Sequence, residues 1–219
     1  VSDTDSFIDE VTEEVKRDRL FATMRKYGWI AVLIVLLLVG GTAYREYAQA
    51  QDRAQAQALG DQILAAMETE DSAAQAEAFD AITAPTVGSR VLAEMLAAEA
   101  QAEAGEIEAA VTRLQTVAND AEAEQIYRQI ASFKALALGK DVLSVEDRRA
   151  GFESLAVAGQ PLRLLAVEQL ALIDIETGDR EGAVDRLQSV ISDAEVSAGL
   201  RRRASQLIVA LGGELPEQA

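Results

Sequence analysis

The chain has 219 residues and a formal net charge of −17, from 37 acidic and 20 basic side chains. It contains no histidine and no cysteine, which removes imidazole bases, Ser-His-Asp triads, thiolate nucleophiles, disulfides, structural zinc sites and haem ligation. A surface this acidic repels nucleic acid, so no nucleic-acid partner is expected.

Residues 1–26 read as a short helical leader. Asp5 or Ser6 is placed to cap a helix whose apolar positions Phe7, Val11 and Val15 recur every four residues, with Ile8 beside them. Asp9, Glu10, Glu13 and Glu14 suit the positive end of the helix dipole, and Lys16, Arg17 and Arg19 lie further along. Such a stripe docks on a partner or a membrane surface, or else it is a free tail.

Residues 27–47 are the expected transmembrane helix. The run Gly28 to Tyr44 carries no charged side chain; at 1.5 Å per helical residue it reaches about 26 Å, and roughly 30 Å with Tyr27 and Arg45 to Tyr47. Aromatic anchors mark its ends, Tyr27 and Trp29 on one side and Tyr44 and Tyr47 on the other. Three other readings compete. A cleaved signal peptide has a short basic leader, whereas here about 27 residues precede the run and begin acidic, although the small residues Ala48 to Ala50 suit a peptidase. A buried core helix gives no reason for asymmetric flanking charges, and an amphipathic surface helix is not apolar all round. Gly40-Gly41 lacks GxxxG spacing and reads as tolerated membrane glycines. Lys16, Arg17, Arg19, Arg25 and Lys26 precede the span while only Arg45 and Arg53 follow closely. By the positive-inside rule the N-terminus is then cytoplasmic and residues 48–219 are exported, to the periplasm in a bacterium.

The exported part reads as entirely helical, because no segment alternates with a period of two for long. A helix is expected to run out to Met67, to break at Glu68 to Ser72, and to resume from Ala73 to Ile82. Pro85 and Gly88 mark a turn. Sliding the chain by 73 residues then superposes AGEIEAAVTRLQTVANDAE on TGDREGAVDRLQSVISDAE without a gap, and about half of some 35 positions are identical. Fixed-period self-similarity marks stacked supersecondary units. In each copy a helix ends at Gly105 or Gly178, which permits a left-handed turn. The next helix brings a small residue, Ala110 or Ala183, to the close approach, and points Leu114 or Leu187 into the core. Another hairpin, Ile126 to Leu138 and Glu146 to Leu155, fits between the copies. The basic run Arg201 to Arg203 is most simply a solvated helix face, or else it lies against an acidic partner surface.

The cores GEIEAAVTRL and GDREGAVDRL resemble the centre of a tetratricopeptide repeat. They depart from it where Glu122 and Glu195 replace the closing proline, and where Gln101 and Asp174 replace the first-helix aromatic. In layout the chain resembles the YfgM-like family of bacterial inner-membrane proteins. That resemblance implies an all-α protein with one N-terminal span and a periplasmic tetratricopeptide-like solenoid. It further implies a non-enzymatic scaffold ancillary to the Sec translocon, with a PpiD-like chaperone as partner and secreted proteins as clients. It brings no catalytic residue, cofactor, metal or small-molecule substrate. The acids are scattered without a focused pair, so a carboxylate-only enzyme is disfavoured. The remaining alternative is an accessory subunit of a large inner-membrane respiratory or photosynthetic complex.

Overall fold

The computed structural model describes residues 3–215, but not the side chains of residues 3–24 or those of Tyr27, Gly28, Ala31 and Val32. The expected cap at Asp5 or Ser6 and the stripe of Phe7, Val11 and Val15 lie outside the described side chains, as does the anchor Tyr27. The chain forms two units that divide between Gln57 and Ala58.

The first unit is helical. It belongs to α1 (Asp3–Met67), a 65-residue helix whose last turns lie in the second unit. Its apolar side chains are turned to solvent: Trp29, Leu36, Leu37, Leu38 and Val39 are each at least 60% exposed. The Thr42 hydroxyl donates to the Val39 carbonyl at 2.9 Å, which satisfies it within its own helix. Among the described residues, no helix is long and apolar enough to cross a membrane. The transmembrane helix expected over residues 27–47 is therefore not supported by the described residues.

The second unit is built of short helices, each packed on the next in sequence. They are α2 (Ser72–Asp80), α3 (Val87–Glu103), α4 (Ile107–Ala118), α5 (Gln125–Leu138), α6 (Val145–Leu155), α7 (Arg163–Glu176), α8 (Arg180–Ser192) and α9 (Ala198–Ala210), with a 3₁₀ turn at Gly139–Asp141 after α5. Starts are set by side-chain caps. Asp71, Ser144, Asp179 and Ser197 each accept a backbone N–H of the first turn, and Thr86 forms a reciprocal box with Ser89. That box begins α3 at Val87, so Gly88 lies in the first helical turn and the bend falls earlier, around Pro85.

Stops come from glycine. Gly105 and Gly178 have φ of +84° and +83°, and the residue after each donates back at 2.8 Å, Glu106 to the Gln101 carbonyl and Asp179 to the Asp174 carbonyl. This closes the orphan carbonyls at the ends of α3 and α7 in the same way. The core is a relay of clusters rather than one centre. Val91, Ala98, Ala110, Leu114 and Ala131 join α3, α4 and α5. Phe152, Leu155, Leu170 and Leu136 join α5, α6 and α7, and Ala171, Ala183, Leu187 and Ala204 join α7, α8 and α9. Nearest-neighbour packing of this kind is what makes a solenoid quasi-one-dimensional.

Where a repeat proline was absent, an arginine clasp stands in both copies. Arg90 lies 2.8 Å from Asp120 and 3.4 Å from Glu122; Arg163 lies 2.8 Å from both Asp193 and Glu195. The Asp120 contact is an ion pair without hydrogen-bond alignment, because that carboxylate oxygen accepts no hydrogen bond. In each copy the other aspartate oxygen accepts the N–H two residues on, at 2.9 Å. The copies differ at their ends: Gly212 has φ +69°, whereas its equivalent Gly139 has φ −76° and leads into the 3₁₀ turn.

Candidate functional site

Three alternate helices of the second unit, α5, α7 and α9, line a groove of about 620 Å³. Phe133 comes from α5, Leu165, Glu168, Gln169 and Leu172 from α7, and Arg203, Gln206, Leu207 and Ala210 from α9. Spacing of three and four residues along α7 and α9 puts these side chains on one face of each helix. The groove is mostly apolar, and its polar lining is Gln169, Gln206 and one ion pair. Arg203 donates through Nε at 2.9 Å and Nη2 at 2.7 Å to the two oxygens of Glu168, which is only 6% exposed. This bidentate fork neutralises the buried carboxylate. The same hydrogen bond, more than opposing burial, makes the Arg203 guanidinium more basic than usual.

A larger hollow of about 850 Å³ lies on the α3–α4 hairpin, with Arg113 in its wall. That arginine is already engaged. It donates to Asp80 at 2.6 and 3.0 Å, to Glu94 at 2.7 Å and to Gln101 at 3.0 Å. Burial works against its charge, but Asp80 and Glu94 outweigh that and hold it more basic than usual. The three-helix groove is therefore the better candidate, because it offers uncommitted apolar surface.

A second ionic centre lies at the α6–α7–α8 junction. Asp174, 2% exposed, accepts from Arg149 at 2.7 Å and from Arg186 Nε at 2.6 Å. Arg148, also buried, donates to Glu176 at 3.0 and 3.3 Å. At this junction each carboxylate is bound to guanidinium, Asp174 by Arg149 and Arg186 and Glu176 by Arg148. Among the described residues, no group of three or more acids is placed to hold a metal ion.

The residues singled out from the sequence are placed as follows. Ala110, Leu114, Ala183 and Leu187 have no exposed surface, and Gly105 and Gly178 are the left-handed turn residues. Trp29, Tyr44 and Tyr47 belong to the first unit and are 64%, 74% and 69% exposed. None of these lines the groove. Arg201 and Arg202 are exposed, as a solvated face requires, but Arg203 of the same run holds Glu168. Glu168 was missed because its repeat equivalent is the apolar Met95, and that of Arg203 is Ile130. The only sequence signal was their separation of 35 residues, close to one hairpin.

No curated protein matches the chain. The family model described as a tetratricopeptide repeat-like domain matches residues 24–143, which cover the apolar run and the helices through α5. The groove, the stacked hairpins and that match agree: the chain belongs to the tetratricopeptide repeat-like domain family.

Proposed function

We propose that this protein is a membrane-anchored scaffold. The first unit is inserted in a bacterial inner membrane through residues 27–47, with the N-terminus cytoplasmic, and the helical repeats act in the periplasm. There they bind protein segments in the α5–α7–α9 groove, as an ancillary factor of the Sec translocon alongside a PpiD-like chaperone. The observation that carries the binding role is the groove itself, an open and mostly apolar channel whose one buried carboxylate, Glu168, is neutralised by Arg203. Two further observations support the anchor. A contiguous exposed stripe such as Leu33 to Val39 is uncommon on a water-soluble surface. The family match also begins at Met24, upstream of the apolar run, so the matched range takes in the run together with the first hairpins.

Pull-down of the full chain from mild detergent, at native expression, tests the role. Translocon components are expected with the wild type and not with Leu172→Asp, whose fold is checked by circular dichroism. Their absence from the wild type would sink the translocon assignment. Co-migration with a respiratory or photosynthetic complex on a native gel would favour the accessory-subunit reading. Extraction of the intact chain by alkaline carbonate would remove the anchor.

A further inference from the structure

The 73-residue repeat equates α5 with α9, and one face of these two helices is treated differently. On α5 the face carrying Gln129, Ser132 and Leu136 is covered by α6. Leu136 is only 9% exposed and clusters with Phe152 and Leu155. A Cβ added at Gly151 of α6 would stand 2.6 Å from Leu136 Cδ1, so α6 approaches through that glycine. Gln129 also donates to Gln160, just past the end of α6.

On α9 the equivalent positions are Arg202, Ser205 and Val209, and no described helix covers them. Val209 is 61% exposed, and no helix follows α9 among the described residues. Arg201 and Arg202 are exposed, and neither has an acid within ion-pair reach among the described residues, although the chain is acidic overall. This face is separate from the groove, which α9 lines with Arg203, Gln206, Leu207 and Ala210.

We propose that this face of α9 docks an acidic amphipathic helix of a partner protein, seated as α6 is seated on α5. Its small residue meets Val209, and its carboxylates meet Arg201 and Arg202. The internal copy supplies the geometry, and the two unpaired guanidinium groups supply the charge. A second copy's α9 fits less well, because that helix carries no acidic residue to meet Arg201 and Arg202. The inference does not depend on what the groove binds.

The test uses the full chain in detergent, with Val209→Cys carrying an environment-sensitive fluorophore; the chain has no other cysteine. The probes are two peptides of residues 143–157, one with Arg148→Glu and Arg149→Glu, the other with both arginines changed to lysine. The glutamate peptide is expected to shift the emission and to bind about tenfold more tightly than the less acidic lysine peptide. Arg201→Glu with Arg202→Glu should reverse that preference while leaving the circular dichroism unchanged. Equal binding of both peptides, no response to either, or no reversal in the charge-swapped protein would overturn the proposal. So would sedimentation showing a dimer that Arg202→Glu dissolves, since the occupant would then be a second copy.

Discussion

Arg186 reaches Asp174 through Nε at 2.6 Å, twelve residues apart across the α7–α8 hairpin. One repeat earlier Arg113 Nε reaches Gln101 at 3.0 Å across α3–α4. The same step in the chain thus makes the same contact twice, with an amide in one copy and a carboxylate in the other. Asp174 is buried and is also held by Arg149. Asp174→Ala strands these donors against a buried wall. A loss of about 1–3 kcal/mol is expected from urea unfolding midpoints, and Gln101→Ala, whose arginine keeps Asp80 and Glu94, should cost less.

The groove pair offers a transplant. Replacing Arg203 with the Ile of its repeat equivalent leaves Glu168 buried without its fork, and should destabilise by about 1–3 kcal/mol. Glu168→Met added to Arg203→Ile restores the apolar pair of the first copy. The double variant is expected within about 1 kcal/mol of wild type, since a buried ion pair contributes little net over apolar packing. Thermal unfolding of the single and double variants gives the comparison directly.

Gly178 and Gly105 have open space where a Cβ would go, so only the backbone objects to a side chain. Alanine at either position must adopt φ near +80°, at a cost of roughly 1–2 kcal/mol. Asparagine should cost less than alanine. Equal stability of all three residues at position 178 would show that the turn adjusts freely.

Ala183 has no exposed surface and sits where α7 and α8 approach. Ala183→Phe should overpack the hairpin by about 1–3 kcal/mol. An unchanged melting temperature would show that the helices have room to separate.

The arginine clasps give the fold an acid limit. The Asp120 carboxyl is held below its ordinary value of 3.8 by the Glu122 N–H first and by Arg90 second. Asp193 is held low by Arg163 first and by the Glu195 N–H second. A carboxyl with a lower value folded than unfolded stabilises the fold fully above its unfolded value, and loses that contribution as pH falls through its folded value. The melting temperature should therefore owe these groups nothing new between pH 7 and about 5, and should decline below about 4. Asp120→Asn with Asp193→Asn should flatten that acid limb, and an identical acid limb in both proteins would assign the decline elsewhere.

The stack of hairpins was legible because its rules are local. A glycine at 105 and 178, a small residue five positions later and a leucine four beyond that state a turn, a close approach and a core contact in one segment. Helix boundaries came within a residue or two for the same reason, except near Gly88, where the Thr86–Ser89 box overrode the turn signal. The groove was not legible. Glu168 and Arg203 are ordinary surface residues in an Ala-rich amphipathic pattern, and only the stacking of α7 on α9 turns one of them inward. Asp174 was visible as a departure from the repeat, yet its arginines come from α6 and α8. A period of 73 cannot announce a contact that only one copy makes.

The two copies also differ where they should be most alike. Glu99 and Lys134 form an ion pair on α3 and α5, and their equivalents on α7 and α9 are Leu172 and Leu207, both in the groove wall. A polypeptide lying along these helices therefore meets a salt-sensitive end and a greasy end in fixed order. Such a track has a heading, and a guest threaded backwards would find its charged and oily residues opposite the wrong neighbours.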